Sequence, residues 1–319
     1  MDRPRPDAPG MATGDSTTSA KPFRGRSRRR QWQQLSRGLY VPRASPLSAV
    51  LRGWQLILPE SAAFTSLTAA EVRGWWLPEA IPHPVFAAVP VGERYRERRG
   101  LLICRHPRPV PAEAFQGLGI TTGAETLLAA ARDLGLLDLM ILGDSALHLG
   151  HCTLEELQLT AAQRRRGAPQ LRATLPLLDK RSESPWESVM RVLHVAAGIE
   201  VEPQKKIYDS FGRFIARADL WLVGTRRIHE YDGDVHRERQ VHRNDLTRDR
   251  RLIEIDWQRM GYTSPQLLNE GASIIASADR LIGRSWERKR LARWEALLDD
   301  SLFRPAGRSR AMSRWQRAM

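Results

Sequence analysis

Residues 216–233, ARADLWLVGTRRIHEYDG, constrain the fold most, because they read as two strands joined by a turn so short that only antiparallel pairing is open to them. Residues 217–223 and 226–232 are strand-like, and Gly224-Thr225 between them fits a two-residue hairpin loop. Pairing Val223 with Arg226 sets Asp219 opposite Glu230. Opposite side chains share a face with Cβ atoms about 5 Å apart, and the period of two brings Asp232 to the same face. Three carboxylates converge on one patch of sheet, where like charges are destabilising, so the cluster calls for a counter-charge. A hard divalent cation, Mg²⁺ or Mn²⁺, is the simplest, since it takes one or two carboxylates and leaves positions for water and phosphate oxygens. Three other readings stand: a longer loop that scatters the acids, ion pairing by Arg217, Arg226 and Arg227, or a decayed site.

The stretch ahead of this hairpin supplies another acid. Ser184, Pro185 and Glu187 have the spacing of an N-cap, a first-turn proline and a capping-box glutamate, predicting a helix over 184–197 closed by Gly198. Strands are expected at 201–208 and 213–218 around a turn at 209–212, and a basic helix at 236–253. The arginines of that helix either line a phosphate path or form i,i+4 pairs with Asp245 and Asp249. His229 falls on the opposite face from the acids by strand parity.

Upstream, the spacing predicts helices at 46–58, 66–76, 121–134, 136–148, 153–165 and 169–178, with Ser66 as N-cap of the second, and strands at 85–89 and 101–104. A boundary is expected at 178–182 (LLDKRS is the joining sequence), giving two domains in 319 residues. The longest apolar run, 134–142, contains Asp138 and falls short of the roughly 18 residues that cross a bilayer, and no secretory signal is visible. Two cysteines, Cys104 and Cys152, exclude a disulfide framework or a multi-cysteine zinc module, and a cytoplasmic location is expected. Of a net charge of +14, residues 1–30 and 301–319 carry +5 each. Both ends are expected to be basic tails that condense on a polyanion such as DNA, although 45 arginines against five lysines also fit a compositional bias.

Two resemblances sharpen these expectations. QLSRGLYVPR (34–43), SLTAAEVRGWWLP (66–78), the strand ending in CRHP (104–107), GITTGAETLLAAARDL (119–134) and LGDSALHLG (142–150) resemble the AbiEi-type antitoxin domain of abortive-infection systems. In that family a winged helix-turn-helix precedes the first of these segments and reads DNA. Here a basic segment stands in its place and only the wing is expected. Residues 182–283 resemble the very-short-patch-repair (Vsr) endonuclease-like branch of the PD-(D/E)xK nucleases, in SPWES with Glu187, RADLW with Asp219, HEYDG with Glu230 and Asp232, and the following His236.

The second resemblance implies a restriction-endonuclease-like mixed sheet flanked by helices, with Asp219 and Glu230 as metal ligands and Glu187 as a helix acid that joins them. The superfamily's lysine is replaced by Asp232, which makes a third metal-ligand candidate, and His236 becomes a candidate acid/base. The whole chain is expected to be α/β, or α+β overall. Its domains are a basic tail (1–30), a mainly helical AbiEi-like domain with a small β element (31–180), the nuclease-like domain (182–283), and a C-terminal helix with a basic tail (284–319). The expected function is Mg²⁺-dependent DNA endonuclease in defence, repair or a mobile element, with DNA as substrate and a cognate toxin or other protein as partner. The alternative is a non-catalytic DNA- or protein-binding regulator on a degenerate nuclease fold.

Overall fold

The computed structural model describes residues 21–25, 30–78, 81–233, 248–316 and 318–319. By contact density the chain forms two compact units, 1–57 and 58–319, so the joint expected at 178–182 falls inside the second unit. Among the described residues no helix is long and apolar enough to cross a membrane.

In the first unit, β1 (Phe23–Arg24), β2 (Trp32–Ser36) and β3 (Leu39–Pro42) form an antiparallel sheet ordered β1-β3-β2, and α1 (Leu47–Gln55) follows. Order begins before residue 31, contrary to the expectation of a tail to residue 30. Phe23 and Arg24 pair with Tyr40 and Leu39, and the Phe23 ring stacks on Tyr40 and meets Trp32 edge-on. Two aromatic contacts hold a two-residue strand that charge counting overlooks. The rest of the 1–30 segment lies outside the described residues.

The second unit opens with β4 (Ala63–Phe64), α2 (Ser66–Val72), β5 (Val85–Pro90), β6 (Leu101–His106), β7 (Ala112–Phe115) and β8 (Leu118–Thr121), whose strands form a sheet ordered β6-β5-β4-β8-β7. This part is therefore richer in strand than the small β element expected. Strands β4, β7 and β8 are two to four residues long, below the length at which alternation shows. The N-cap of α2 is Thr65, and Ser66 is its first helical residue. Helices α3 (Gly123–Ala130), α4 (Leu136–His148), α5 (Leu154–Ala161) and α6 (Ala168–Thr174) follow and share one core with Phe86 and Cys104 of the sheet.

Helix α4 has ten consecutive buried residues, 137–146, because it carries apolar groups to two clusters. Leu139, Leu142 and Ala146 join the core under the first sheet, while Leu137, Met140 and Ile141 join the core of the second. Two carboxylates are buried with it. Asp138 accepts the Leu302 amide on both oxygens, and Asp144 accepts from the Asp179 amide, Ser188 Oγ and Arg191 Nη2, each at 2.7 Å. These bonds tie α4 to the chain on either side of residue 180.

The remaining core element order is α7 (Pro185–Ala196), β9 (Val201–Tyr208), β10 (Phe214–Leu222), β11 (Arg227–Tyr231), a helix α8 over residues 248–254, β12 (Gln258–Tyr262), α9 (Ser264–Asn269) and α10 (Gly271–Leu281). The sheet runs β12-β11-β10-β9, antiparallel except for the parallel β11–β12 pair, a mixed sheet flanked by helices as expected.

On the α7 face, two histidines meet in the core. His194 Nδ1 lies 2.8 Å from the Met190 carbonyl, so it must donate there, which leaves Nε2 as acceptor for His229 Nδ1–H at 2.9 Å. Both rings are neutral in this arrangement. Burial, the larger cause in each case, holds His194 down to about 4, and burial with the neighbouring imidazole holds His229 well below its ordinary value. The His194 contribution to stability is present above about 6.5 and is lost as pH falls toward about 4, at up to about 1.4 kcal/mol per pH unit, and the depressed His229 ring loses stability in the same direction. Thermal melts of the wild type and of His229→Phe should converge as pH drops from 7 to 4.5. Parallel curves would contradict the neutral pair.

The C-terminal segment is not a free basic tail. Helices α11 (Ala292–Asp299) and α12 (Pro305–Trp315) close the unit, Trp315 is wholly buried edge-on to Phe86, and Arg314 pairs with Asp133. Gly307 permits the approach, since a Cβ there would strike the Ser301 carbonyl. In α12 the buried residues are one aromatic and two small ones, Trp315, Gly307 and Ala311, too few for a visible apolar period. Trp315→Ala should cost about 3–5 kcal/mol in chemical denaturation, where a free tail would show no change.

Candidate acidic site on the mixed sheet

Leu220 pairs with His229 and Trp221 with Ile228, the register expected of the hairpin. The connection is longer than two residues, because strand pairing ends at Leu222 and resumes at Arg227. Thr225 N–H donates to the Leu222 carbonyl at 3.2 Å, and Gly224 at φ +80° supplies the left-handed residue of that turn. Even-length lengthening on both strands preserves the register.

Because His229 and its partner Leu220 face α7, Asp219 and Glu230 project to the other face, the side of α8. There Leu252 of α8 joins a small core with Ile228 and Trp221, and Arg248 reaches Glu230. Asp219 Oδ2 accepts the Tyr231 amide at 3.0 Å, which fixes the carboxylate against the neighbouring strand. Glu187, at the amino end of α7, accepts from Gln204 Nε2 at 2.8 Å. Gln204 lies between the paired residues Pro203 and Lys205 of β9, across from Asp219, with a left-handed φ of +56°. The helix cap is half a capping box: Ser184 Oγ accepts the Glu187 amide, while the Glu187 carboxylate accepts the amide of Glu183.

Electrostatics single out Asp219. Burial is the main cause, and Glu187 and Glu230 add repulsion, together lifting its carboxyl to about 7. Burial likewise raises Glu187. Glu230 is only 5 % exposed, and two guanidiniums hold one of its oxygens: Arg248 Nη2 at 2.6 Å and Arg259 Nε at 2.5 Å to Oε2. Its other oxygen, Oε1, is buried and unpartnered among the described residues. Arg259 also donates Nη2 to Asp232 Oδ1 at 2.5 Å and so bridges the two acids.

The expected neutralising arginines are engaged elsewhere. Arg217 pairs with Glu183 and Arg226 with Asp256, and Arg227 donates to the Arg226 carbonyl. Arg248 and Arg259 do that work instead, on a helix and a strand far along the chain. Arg259 stands on β12 beside Glu230, whose register partner is Gly261, and it brings a fixed cation next to Asp232. No sequence signal marks this, because the parallel register of β11 with β12 passes through a long connection. Gln204 is equally invisible in sequence.

Among the described residues, no three His, Cys, Asp or Glu side chains form a group able to hold a metal ion. The donor set nonetheless suits a hard cation at two carboxylates, through Asp219 and the unpartnered Oε1 of Glu230. Asp232 is engaged by Arg259, and Glu187 by Gln204 and the Glu183 amide, so these two stand beside the pair. His236 lies outside the described residues, as do His242 and Asp245. No protein-family model, curated protein or solved structure matches the chain.

Proposed function

We propose that the acidic site is the centre of a Mg²⁺- or Mn²⁺-dependent phosphodiester hydrolase acting on DNA, with the segments ahead of residue 180 serving as a module for docking DNA or a protein partner. The observation that carries this reading is Asp219, raised to about 7 by burial and by the charges of Glu187 and Glu230, the latter with a buried carboxylate oxygen that has no partner among the described residues. A carboxyl held against two like charges is a poor structural choice, and such perturbed groups concentrate at functional sites. A bound divalent cation would polarise the scissile phosphate and acidify a water nucleophile. Asp219 and Glu230 would hold it, Arg259 would offer its guanidinium to the phosphate or the departing oxygen, and Arg248 would keep Glu230 oriented. Glu187, with its own carboxyl raised by burial and its charge felt at Asp219, would take a proton from water there.

A second reading rests on the same two arginines. Arg248 and Arg259 already neutralise Glu230 and Asp232, which is how a binding protein on a nuclease fold would settle leftover acids. Nicking of supercoiled plasmid by the purified chain separates the two. Cleavage that appears with Mg²⁺ or Mn²⁺ and stops with a chelator supports the hydrolase. Absence of cleavage with either ion supports the binding protein.

A further inference from the structure

Away from the acidic sheet, an open cavity of about 760 Å³ is walled by the connection between α5 and α6, the end of α3 and one side of α12. Six guanidiniums line it, those of Arg132, Arg164, Arg165, Arg166, Arg172 and Arg314. Arg165 is held in a two-pronged pair by Glu125 at 2.6 and 2.8 Å, and Arg314 by Asp133. Arg172 donates one nitrogen to the Ala161 carbonyl. Among the described residues, the guanidiniums of Arg132, Arg164 and Arg166 have neither an ion pair nor a hydrogen-bond acceptor, and the Nε of Arg132 is sealed from water without one. Buried donors of this kind are almost always satisfied, by protein, water or ligand. Burial and the like charges of Arg314 and Arg166 depress the Arg132 guanidinium, so the cluster is held together against its own repulsion.

Gly167 is what crowds these groups. At φ +90° it turns the chain so tightly that a Cβ would strike the Leu128 carbonyl and press on Arg132. A second cavity of about 450 Å³ shares Arg132, Arg164, Arg165 and Arg166 and runs on to His106. Both volumes lie in the range of small-molecule sites. Guanidinium forks recognise carboxylates and phosphates alike. A single carboxylate uses one fork, though, and a nucleic-acid backbone spreads its phosphates along a groove. Three unpaired guanidiniums around one concavity match several oxyanions joined in one short chain.

We propose that this cavity binds a ligand carrying contiguous phosphates, of the nucleoside triphosphate or 5′-triphosphate RNA kind, through Arg132, Arg164 and Arg166. The cavity shares no residue with the acidic sheet, so this binding stands or falls separately from hydrolysis. The test is calorimetric titration of the full chain, with chelator present, using inorganic tripolyphosphate, orthophosphate, ATP, and an RNA oligonucleotide bearing either a 5′-triphosphate or a 5′-hydroxyl. Tripolyphosphate should bind at least about tenfold more tightly than orthophosphate, and Arg132→Gln or Arg166→Gln should each weaken it by at least about tenfold. Arg52→Gln on α1 should leave it unchanged. Arg166 is exposed, so its variant keeps the test decisive if Arg132→Gln fails to fold. A preference for ATP or for the triphosphorylated RNA names the source of the phosphates. Equal affinity for tripolyphosphate and orthophosphate, or full affinity in Arg166→Gln, overturns the proposal.

Discussion

Asp219→Asn should abolish metal-dependent nicking while making the protein more stable. The substitution keeps size and keeps an oxygen to accept the Tyr231 amide, but it removes the charge that would hold the cation. A metal ion contributes several kcal/mol to stabilising a phosphodiester transition state, so the rate should drop on the order of 10³-fold. The stability change follows from the same carboxyl. Its value of about 7 in the folded chain lies above the ordinary 3.8, so its contribution to stability is fully present below about 3.8 and is lost as pH rises through about 7. At pH 8 that loss has an upper bound of about 4 kcal/mol, and asparagine avoids it. Without metal, the variant should therefore melt several degrees above the wild type at pH 8 and level with it at pH 4. Equal melting at pH 8, with nicking intact, would show that Asp219 neither repels its neighbours nor holds an ion.

Asp144→Ala should be among the most damaging single substitutions in the chain. Asp144 is wholly buried and pairs with Arg191, itself only 5 % exposed, while also accepting from Ser188 and the Asp179 amide. Burial pushes the carboxyl up and Arg191 pulls it back, the balance expected of a pair whose partners each need the other. Removing the carboxylate strands a guanidinium between two cores, which costs about 3–5 kcal/mol and lowers the melting temperature by about 10 °C. The double change Asp144→Leu with Arg191→Met should recover most of that loss, because neither charge is then left alone. A double variant as unstable as the single one would mean that the hydrogen bonds to Ser188 and Asp179 matter more than the pair.

What could be read in the sequence follows from the range of the interactions concerned. The hairpin 216–233 was legible because a short turn couples neighbouring strands locally, so Asp219 and Glu230 could be set on one face without knowing anything else. Helix α7 was legible from its cap and proline, and α4 from a long apolar run, although nothing in that run revealed that Asp144 serves a partner 47 residues away. The arginines that meet the acids arrive from α8 and β12 through tertiary packing, and arginine is so abundant here that no single one stands out. Counting charge at the C-terminus misled for a related reason. Trp315 and Gly307 anchor α12 by fit rather than by periodicity, and the helix pairs its Arg314 with Asp133.

If Asp219 and Glu230 form a cation site, the bound ion relieves their unfavourable charge. Calorimetric titration with Mn²⁺ at pH 7, in two buffers of different ionisation enthalpy, tests it directly. With Asp219 raised to about 7, roughly half of the molecules carry its proton before binding, so about half a proton should be released per ion bound. That release should vanish in Asp219→Asn. Absence of saturable binding in the wild type, or binding with the same proton release in Asp219→Asn, would contradict it.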